Sequence, residues 1–347
     1  MWHCSYGTVA VSERVWRNAD DEWQRPFAVA AGLTARGCSR RLQRLACDFA
    51  LETPFARAAE RLREHHGVTL APSTLRRLTL RHAGALRDAQ LARPPVRTLP
   101  AHGAATLVAE TDGTILPQVE FAPGPGDRRK RRKVVWRETR LCAVQAVGQT
   151  QTHYGVSCGD LAETATQWAH TARQAGWAAP TAIHAVGDGA EWIARLARQC
   201  FGAQGRFLLD LYHVSEYLAA AAPPDQPDHL ARQKARLCAG DHATVLAALA
   251  ARREPPATPD ASAPVRAAHR YLSNRQDQLD YPAALAAGLP VGSGLIESGH
   301  RHVLHHRLKI SGAAWLRPNS AAIAHARVVR ANGAWPAYWA ALSLAQN

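Results

Sequence analysis

No two of the seven cysteines (Cys4, Cys38, Cys47, Cys142, Cys158, Cys200, Cys238) form a CxxC pair, and their number is odd. That argues against a disulfide framework and a zinc ribbon, and it fits a reducing compartment. No apolar run comes near the roughly 18–20 residues needed to span a bilayer, and no signal-peptide pattern follows Met1. An internal repeat and a low-complexity tract are also missing. Acidic residues are scarce: 28 Asp+Glu face 42 Lys+Arg, a net charge of +14 over 347 residues. With 47% hydrophobic residues the chain is neither disordered nor fibrous, and its length suits two or three domains. The charge points to a polyanionic partner, nucleic acid or an anionic membrane surface.

Residues 1–50 read as a lead-in, with a short strand or hairpin near Thr8–Val11 and a helix opening at Ser39. Phe55, Ala58, Ala59 and Leu62 recur at helical spacing and stop at His65-His66-Gly67. A second helix begins at Pro72-Ser73 and carries Leu75, Leu78 and Leu80 beside Arg76, Arg77 and Arg81. Helix, glycine turn and arginine-rich helix form the outline of a helix-turn-helix, with DNA contact through those arginines. The plainer alternative is a helical hairpin whose arginines face water. A proline-bounded linker closes the region near residue 100.

Beyond it the pattern changes to strands: Thr106–Asp112 ending at Gly113, then Arg137–Val147 and Gln151–Cys158. A helix over about 160–176, a strand Thr181–Val186, another helix and a strand Arg206–Asp210 complete the order βββαβαβ. Three consecutive strands followed by alternation predict an α/β (α+β) fold with a ribonuclease-H-like mixed sheet. Residues 216 to about 285 read as an Ala-rich helical insertion, and the Gly292-Ser293-Gly294 loop starts a helix running to Leu308.

Asp112 and Asp188 occupy matching places, each at the end of an apolar strand and each followed by glycine. A strand-end Asp-Gly is commonly a turn, but adjacent strands would bring the two carboxylates together. Side by side they repel unless a cation is present, and hard carboxylate oxygens suit Mg²⁺. Glu297, in the first turn of its helix, is the candidate third ligand; its alternative role is to complement the helix dipole.

Four stretches together resemble insertion-sequence transposases of the DDE class, in particular the ISKra-type subgroup. They are Thr111–Thr114, Val186–Ile193, Leu209–Val214 and Val291–Ser298, the last continued by Arg307–Gly312 and Trp315. The resemblance implies that Asp112, Asp188 and Glu297 form a metal-binding catalytic triad. It places Asp210 and His213 as an accessory pair near the active site, His213 being either a phosphate-orienting group or a structural histidine bonded to Asp210. It further implies two Mg²⁺ ions (Mn²⁺ substituting), Asp112 bridging them, with no zinc.

The implied activity is cutting of transposon-end DNA and joining of the freed 3′-OH to target DNA. The implied partners are double-stranded DNA, at terminal inverted repeats and at the target, and further copies of the chain; no membrane is expected and the location is the cytoplasm. The chain then divides into a lead-in (1–50), a helix-turn-helix-like region with its linker (51–100), a first part of the catalytic core (101–215), a helical insertion (216–289) and final core helices with Glu297 (290–347). Members of the family often begin with paired cysteines suggesting a zinc module; here Cys4 stands alone, so either that module is lost, the lead-in being its remnant, or the chain starts inside it.

The run Arg128, Arg129, Lys130, Arg131, Arg132 and Lys133 is the densest positive patch and a candidate phosphate grip. Arg301, at i+4 from Glu297, is placed on the same helical face and near the scissile strand. A different role for the same fold is a domesticated or inactive transposase acting as a DNA-binding protein. A junction-type nuclease is a second rival, and a non-enzymatic membrane- or partner-binding helical protein, against which the strands from 106 to 210 argue, is a third.

Overall fold

Two short hairpins open the computed structural model, which describes residues 2–30 and 37–344: β1 (Trp2–Cys4) with β2 (Gly7–Val9), and β3 (Trp16–Arg17) with β4 (Trp23–Gln24). A five-residue helix α1 (Pro26–Ala30) follows. Helix α2 (Arg40–Glu52) starts where the Ser39 hydroxyl accepts a hydrogen bond from the Leu42 N–H at 3.3 Å. Helix α3 (Phe55–His66) stops at Gly67, whose φ of 64° is left-handed and suits glycine. Helix α4 (Pro72–Leu91) begins with proline in its first turn, where the missing N–H costs nothing.

Strand β5 (Thr106–Phe121) is much longer than the sequence pattern predicts. It does not end at Gly113, because Gly113 lacks a positive φ and the strand-forming Thr114-Ile115-Leu116 carries the extended chain onward. Next come β6 (Arg132–Ala146), β7 (Thr152–Ser157), α5 (Leu161–Gln174), β8 (Ala182–Gly187), α6 (Glu191–Phe201) and β9 (Gly205–Leu209). Helices α7 (Leu211–Ala220), α8 (His229–Cys238), α9 (His242–Ala250), α10 (Pro264–Ser273) and α11 (Tyr281–Ala286) make up the helical stretch. The chain ends with α12 (Gly294–Gly299), a π-helical segment (His300–His305), α13 (His306–Leu308), α14 (Arg317–Ala331) and α15 (Trp335–Leu344).

The protein is a mixed α/β molecule around a five-stranded mixed sheet in the order β7-β6-β5-β8-β9. Strands β5, β8 and β9 run parallel, while β6 and β7 are antiparallel. Alternate residues along each strand face opposite sides, so the sheet has two cores. Leu107, Ala109, Ile183 and Ala185 pack under Trp168 and Phe201 from α5 and α6. Val186 and Leu208 pack under α7 to α11, through Val214, Leu218, Leu272 and Tyr281.

The chain forms two compact units. One comprises residues 95–114 and 139–300, with the sheet's inner strand segments and helices α5 to α12. The other comprises residues 1–94, 115–138 and 301–347. In it α2, α3 and α4 share one core of Cys38, Leu42, Leu62, Leu75 and Leu78, and so join segments that the sequence pattern separates at residue 50. Buried cations tie this core to the C-terminal helices. Arg327 reaches the Leu51 carbonyl and Glu52 (2.9 Å), and Arg330 reaches Asp48 at 2.5 Å. No helix among the described residues is long and apolar enough to cross a membrane.

Candidate functional site

Strand register brings the predicted acids to one edge of the sheet. Glu110 pairs with Val186, and Val186 with Leu208. Two residues further along, Asp112, Asp188 and Asp210 therefore stand at a common level where three adjacent parallel strands end or pass, with strands spaced about 4.8 Å apart. All three lie on the face that carries Glu110 and the helical stretch.

Their surroundings separate the acids into two kinds. Asp112 and Asp188 are half-buried and Glu297 is exposed, so these three retain access to a ligand. Asp112 Oδ1 accepts from the Gly113 N–H at 2.6 Å, and its Oδ2 lies 3.8 Å from His300 Nδ1. Asp188 Oδ1 accepts from the Ala190 N–H at 2.9 Å and so shapes the turn after β8. Two contacts from α10 and the residues just after it hold that turn: the Tyr271 hydroxyl donates to the Asp188 carbonyl, and Arg275 Nε donates to the Gly189 carbonyl at 2.8 Å.

Asp210, by contrast, is fully buried. It accepts from the N–H groups of Tyr212 (2.6 Å), His213 (3.3 Å) and Ser293 (2.8 Å), and from the Ser293 hydroxyl. His213 Nδ1 lies 3.5 Å from its Oδ2. Burial alone would raise this carboxyl's pKa, but the bonds from His213, Ser293 and Tyr212 outweigh it and hold Asp210 well below the usual carboxylate range. The same pairing, opposed by partial burial and helped by the charge of Asp188, pushes His213 up to about 9. The 3.5 Å separation of His213 Nδ1 from Asp210 is an ion-pair distance, and it favours the protonated form of the imidazole.

Glu110 does not stand out in the sequence pattern, and it is the second buried carboxyl of the site, 1% exposed. Its Oε2 accepts from the Ile296 N–H at 2.8 Å, at the start of α12. Burial pushes it up to about 8; the Ile296 and Leu295 N–H groups oppose that, and the nearby charges of Asp210 and Glu297 add to it. A lone charge directly after the apolar run Leu107-Val108-Ala109 is the available signal.

These two buried acids carry the loop and helix that present Glu297. Ser293 is clamped by Asp210, His184 Nε2 donates to the Pro290 carbonyl at 2.8 Å, and the Leu211 N–H donates to the Val291 carbonyl at 2.9 Å. Glycine is required at two points of close approach. A Cβ on Gly292 would sit 2.5 Å from the Tyr212 ring, and one on Gly299 would sit 2.7 Å from Tyr154 and 2.8 Å from Leu141. The missing side chains let the loop close on α7 and α12 lie against the sheet.

After Gly299 the helix does not keep its α-helical period. Residues 300–305 form a π-helical segment, so the i+4 placement of Arg301 relative to Glu297 no longer applies; Arg301 is exposed. Among the described residues, no three His, Cys, Asp or Glu side chains stand close enough to hold a metal ion by themselves. The oxygen donors of Asp112, Asp188 and Glu297 nevertheless match Mg²⁺, which takes only one or two carboxylates and completes its shell with water and phosphate oxygens.

The predicted DNA-contacting arginines lie in the other unit. Arg76, Arg77 and Arg81 are exposed on α4, though Arg81 also bonds Gln43 at 2.5 Å. The opposite face of α4 is buried through Leu75, Leu78, His82 and Leu86. The basic run is partly structured rather than wholly solvated. Arg128 stacks on Phe121 at 4.1 Å, Arg131 donates to the Ala122 carbonyl at 2.6 Å, and Asp127 caps the Arg129 N–H at 2.9 Å. Arg129, Lys130, Arg132 and Lys133 remain exposed.

The model of the Uncharacterised protein family (UPF0236) matches residues 34–338, most of the chain. The chain belongs to UPF0236. The match takes in Asp112, Asp188, Asp210 and Glu297 together with α2 to α4, so it covers one unit of this UPF0236 member fully and most of the other. No curated protein matches the chain.

Proposed function

We propose that this UPF0236 protein is a DDE-class transposase that cuts transposon-end DNA and joins the freed 3′-OH to target DNA. One observation carries the reading: Asp112 and Asp188 share a level at neighbouring parallel strands, and Glu297 is presented by a helix that Glu110 fastens to the same sheet. The strand order β7-β6-β5-β8-β9, with three consecutive strands preceding the parallel pair, supports a ribonuclease-H-like sheet.

Asp112, Asp188 and Glu297 would hold Mg²⁺, or Mn²⁺ in its place, and such ions lower the pKa of bound water and neutralise phosphate charge. In cutting, a water oxygen bonds to phosphorus and the 3′ oxygen leaves with a proton. In joining, that 3′-OH oxygen bonds to a target phosphorus as the target strand's own 3′ oxygen leaves, the proton passing from the attacking hydroxyl to the departing oxygen. The chain's own contribution is positioning. Asp210 and Glu110 fix the two ends of the Ser293–Ile296 segment, which sets where Glu297 stands. His213, held protonated by Asp210, supplies positive charge beside Asp188 for a phosphate oxygen. The net charge of +14 suits duplex DNA, and paired element ends suit a homo-oligomer.

The test is nicking of terminal-repeat duplex with Mg²⁺. Asp188→Asn is expected to abolish it while duplex affinity in EDTA stays within about twofold. A second readout is independent of turnover: Mn²⁺ should raise the unfolding midpoint of the parent chain and not of Asp112→Asn. Nicking retained by Asp188→Asn would remove that residue from the mechanism.

A further inference from the structure

The acidic edge leaves one constellation of the other unit unexplained. A cavity of about 390 Å³ is lined by Phe55, Arg76, Arg132, Arg307 and Trp315. Arg307 is 2% exposed and sits against two rings that meet edge to face at 6.2 Å, its guanidinium carbon 4.9 Å from the Phe55 centroid and 4.7 Å from that of Trp315. Its Nε donates to the Ala50 carbonyl at 2.9 Å, but its buried Nη2 has no hydrogen-bond partner. Trp315 is 8% exposed, and its buried indole N–H also has none. Two orphaned donors on residues that line one cavity are costly, each by the loss of a hydrogen bond made in water. A ligand that brings acceptors would restore both.

The chemistry of that ligand follows from what surrounds the donors. Aromatic faces favour a flat π-system, and Arg76 and Arg132, exposed at the rim, favour an anion. An adjoining cavity of about 330 Å³ repeats the combination with Arg132, Lys309 and the half-exposed ring of Trp136, over which the Lys309 ammonium sits at 6.0 Å. Rings alternating with cations along a surface are how proteins hold unpaired nucleotides, by stacking bases and pairing phosphates. The first cavity has the size of a small-ligand pocket.

We infer that this cavity receives an unpaired nucleotide of a DNA strand, its base against Phe55 and Trp315 and its phosphate on Arg76 and Arg132. The inference rests on the DNA reading above but on none of its acids, so the two fail separately.

The experiment uses the full chain in EDTA and a duplex with a single-stranded overhang carrying one 5-iododeoxyuridine. Irradiation is expected to join that base to the peptide bearing Phe55 or Trp315, equally in Asp188→Asn. Arg76→Glu, a rim substitution, is expected to lower overhang affinity about tenfold at an unchanged unfolding midpoint; Trp315→Leu should lower both the affinity and the midpoint, and Trp315→Phe should keep the affinity. A cross-link confined to other segments, or overhang affinity unchanged in Arg76→Glu, overturns the assignment. So does displacement by thymidine monophosphate as effective as by the oligonucleotide, or tighter binding of the RNA overhang. Loss of the cross-link with Mg²⁺-dependent nicking intact sinks this inference alone.

Discussion

Asp210 and Ser293 are 83 residues apart in sequence, yet the Ser293 N–H and hydroxyl both donate to one carboxylate oxygen of Asp210. The whole helical stretch from α7 to α11 is thereby closed into a loop whose ends meet beneath the candidate site. Tyr281 reinforces the closure by donating to the Leu209 carbonyl at 3.0 Å.

Removing that carboxylate should therefore act at a distance. Asp210→Ala leaves the Ser293, Tyr212 and His213 donors without their buried acceptor, and is expected to cost about 3–5 kcal/mol. Urea unfolding monitored by far-UV circular dichroism measures it. Ser293→Ala, which removes only the hydroxyl donor, should cost about 1 kcal/mol. Equal losses for the two variants would show that Asp210 does not organise the loop.

Glu110 acts through an accepted hydrogen bond. Glu110→Gln keeps an acceptor for the Ile296 N–H and should remain as stable as the parent to within about 1 kcal/mol. Glu110→Leu strands that N–H in the interior and is expected to lose about 1–3 kcal/mol. Amide hydrogen exchange at Ile296 gives the local readout, accelerated only by the leucine.

Acid should weaken the fold through two buried histidines. Burial lowers His82 to about 4, helped by the charges of Arg81 and Arg40, and lowers His325 to about 4, helped by Arg87 and Arg93. Both are neutral in the folded chain above that value, whereas an unfolded histidine binds a proton below about 6.5. The unfolded state thus takes up more protons between roughly pH 6.5 and 4, and stability falls across that window by about 3 kcal/mol for each group. Urea midpoints at pH 7 and 4.5 should differ accordingly. His325→Gln, which can still bond Gln90, is expected to flatten the dependence, and an unchanged slope would exonerate His325.

On the proposed DNA reading, the exposed cations of the basic run contribute counterion release. Neutralising Arg129, Lys130 and Lys133 together is expected to lower the slope of log affinity against log salt by about 0.9 for each phosphate that the chain then leaves unneutralised. Arg128 and Arg131, already engaged with Phe121 and the Ala122 carbonyl, should change the slope less. Titrations at several salt concentrations measure both.

Local chemistry wrote much of this molecule into its sequence. The Ser39 cap, the Gly67 stop, the strand–helix alternation from Thr106 to Leu209 and the placement of Glu297 in a first helical turn depend on residues within a few positions of each other, so periodicity and capping reveal them. The extension of β5 past Gly113 and the π-helical segment after Gly299 escape such reading. An Asp-Gly pair and an unbroken helical pattern look the same whichever backbone the neighbours impose.

Tertiary structure alone decided which acids are buried. Asp112, Asp188, Asp210 and Glu110 are all acids of the sheet. Strand register and the docking of α12 buried Asp210 and Glu110 and left Asp112 and Asp188 half-buried, and burial of a carboxyl group is tolerated where donors from distant segments, here Ser293 and Ile296, meet it. Likewise the orphaned donors of Arg307 and Trp315 lie where α3 meets α13 and the loop after it, a sequence separation over which no local pattern carries information.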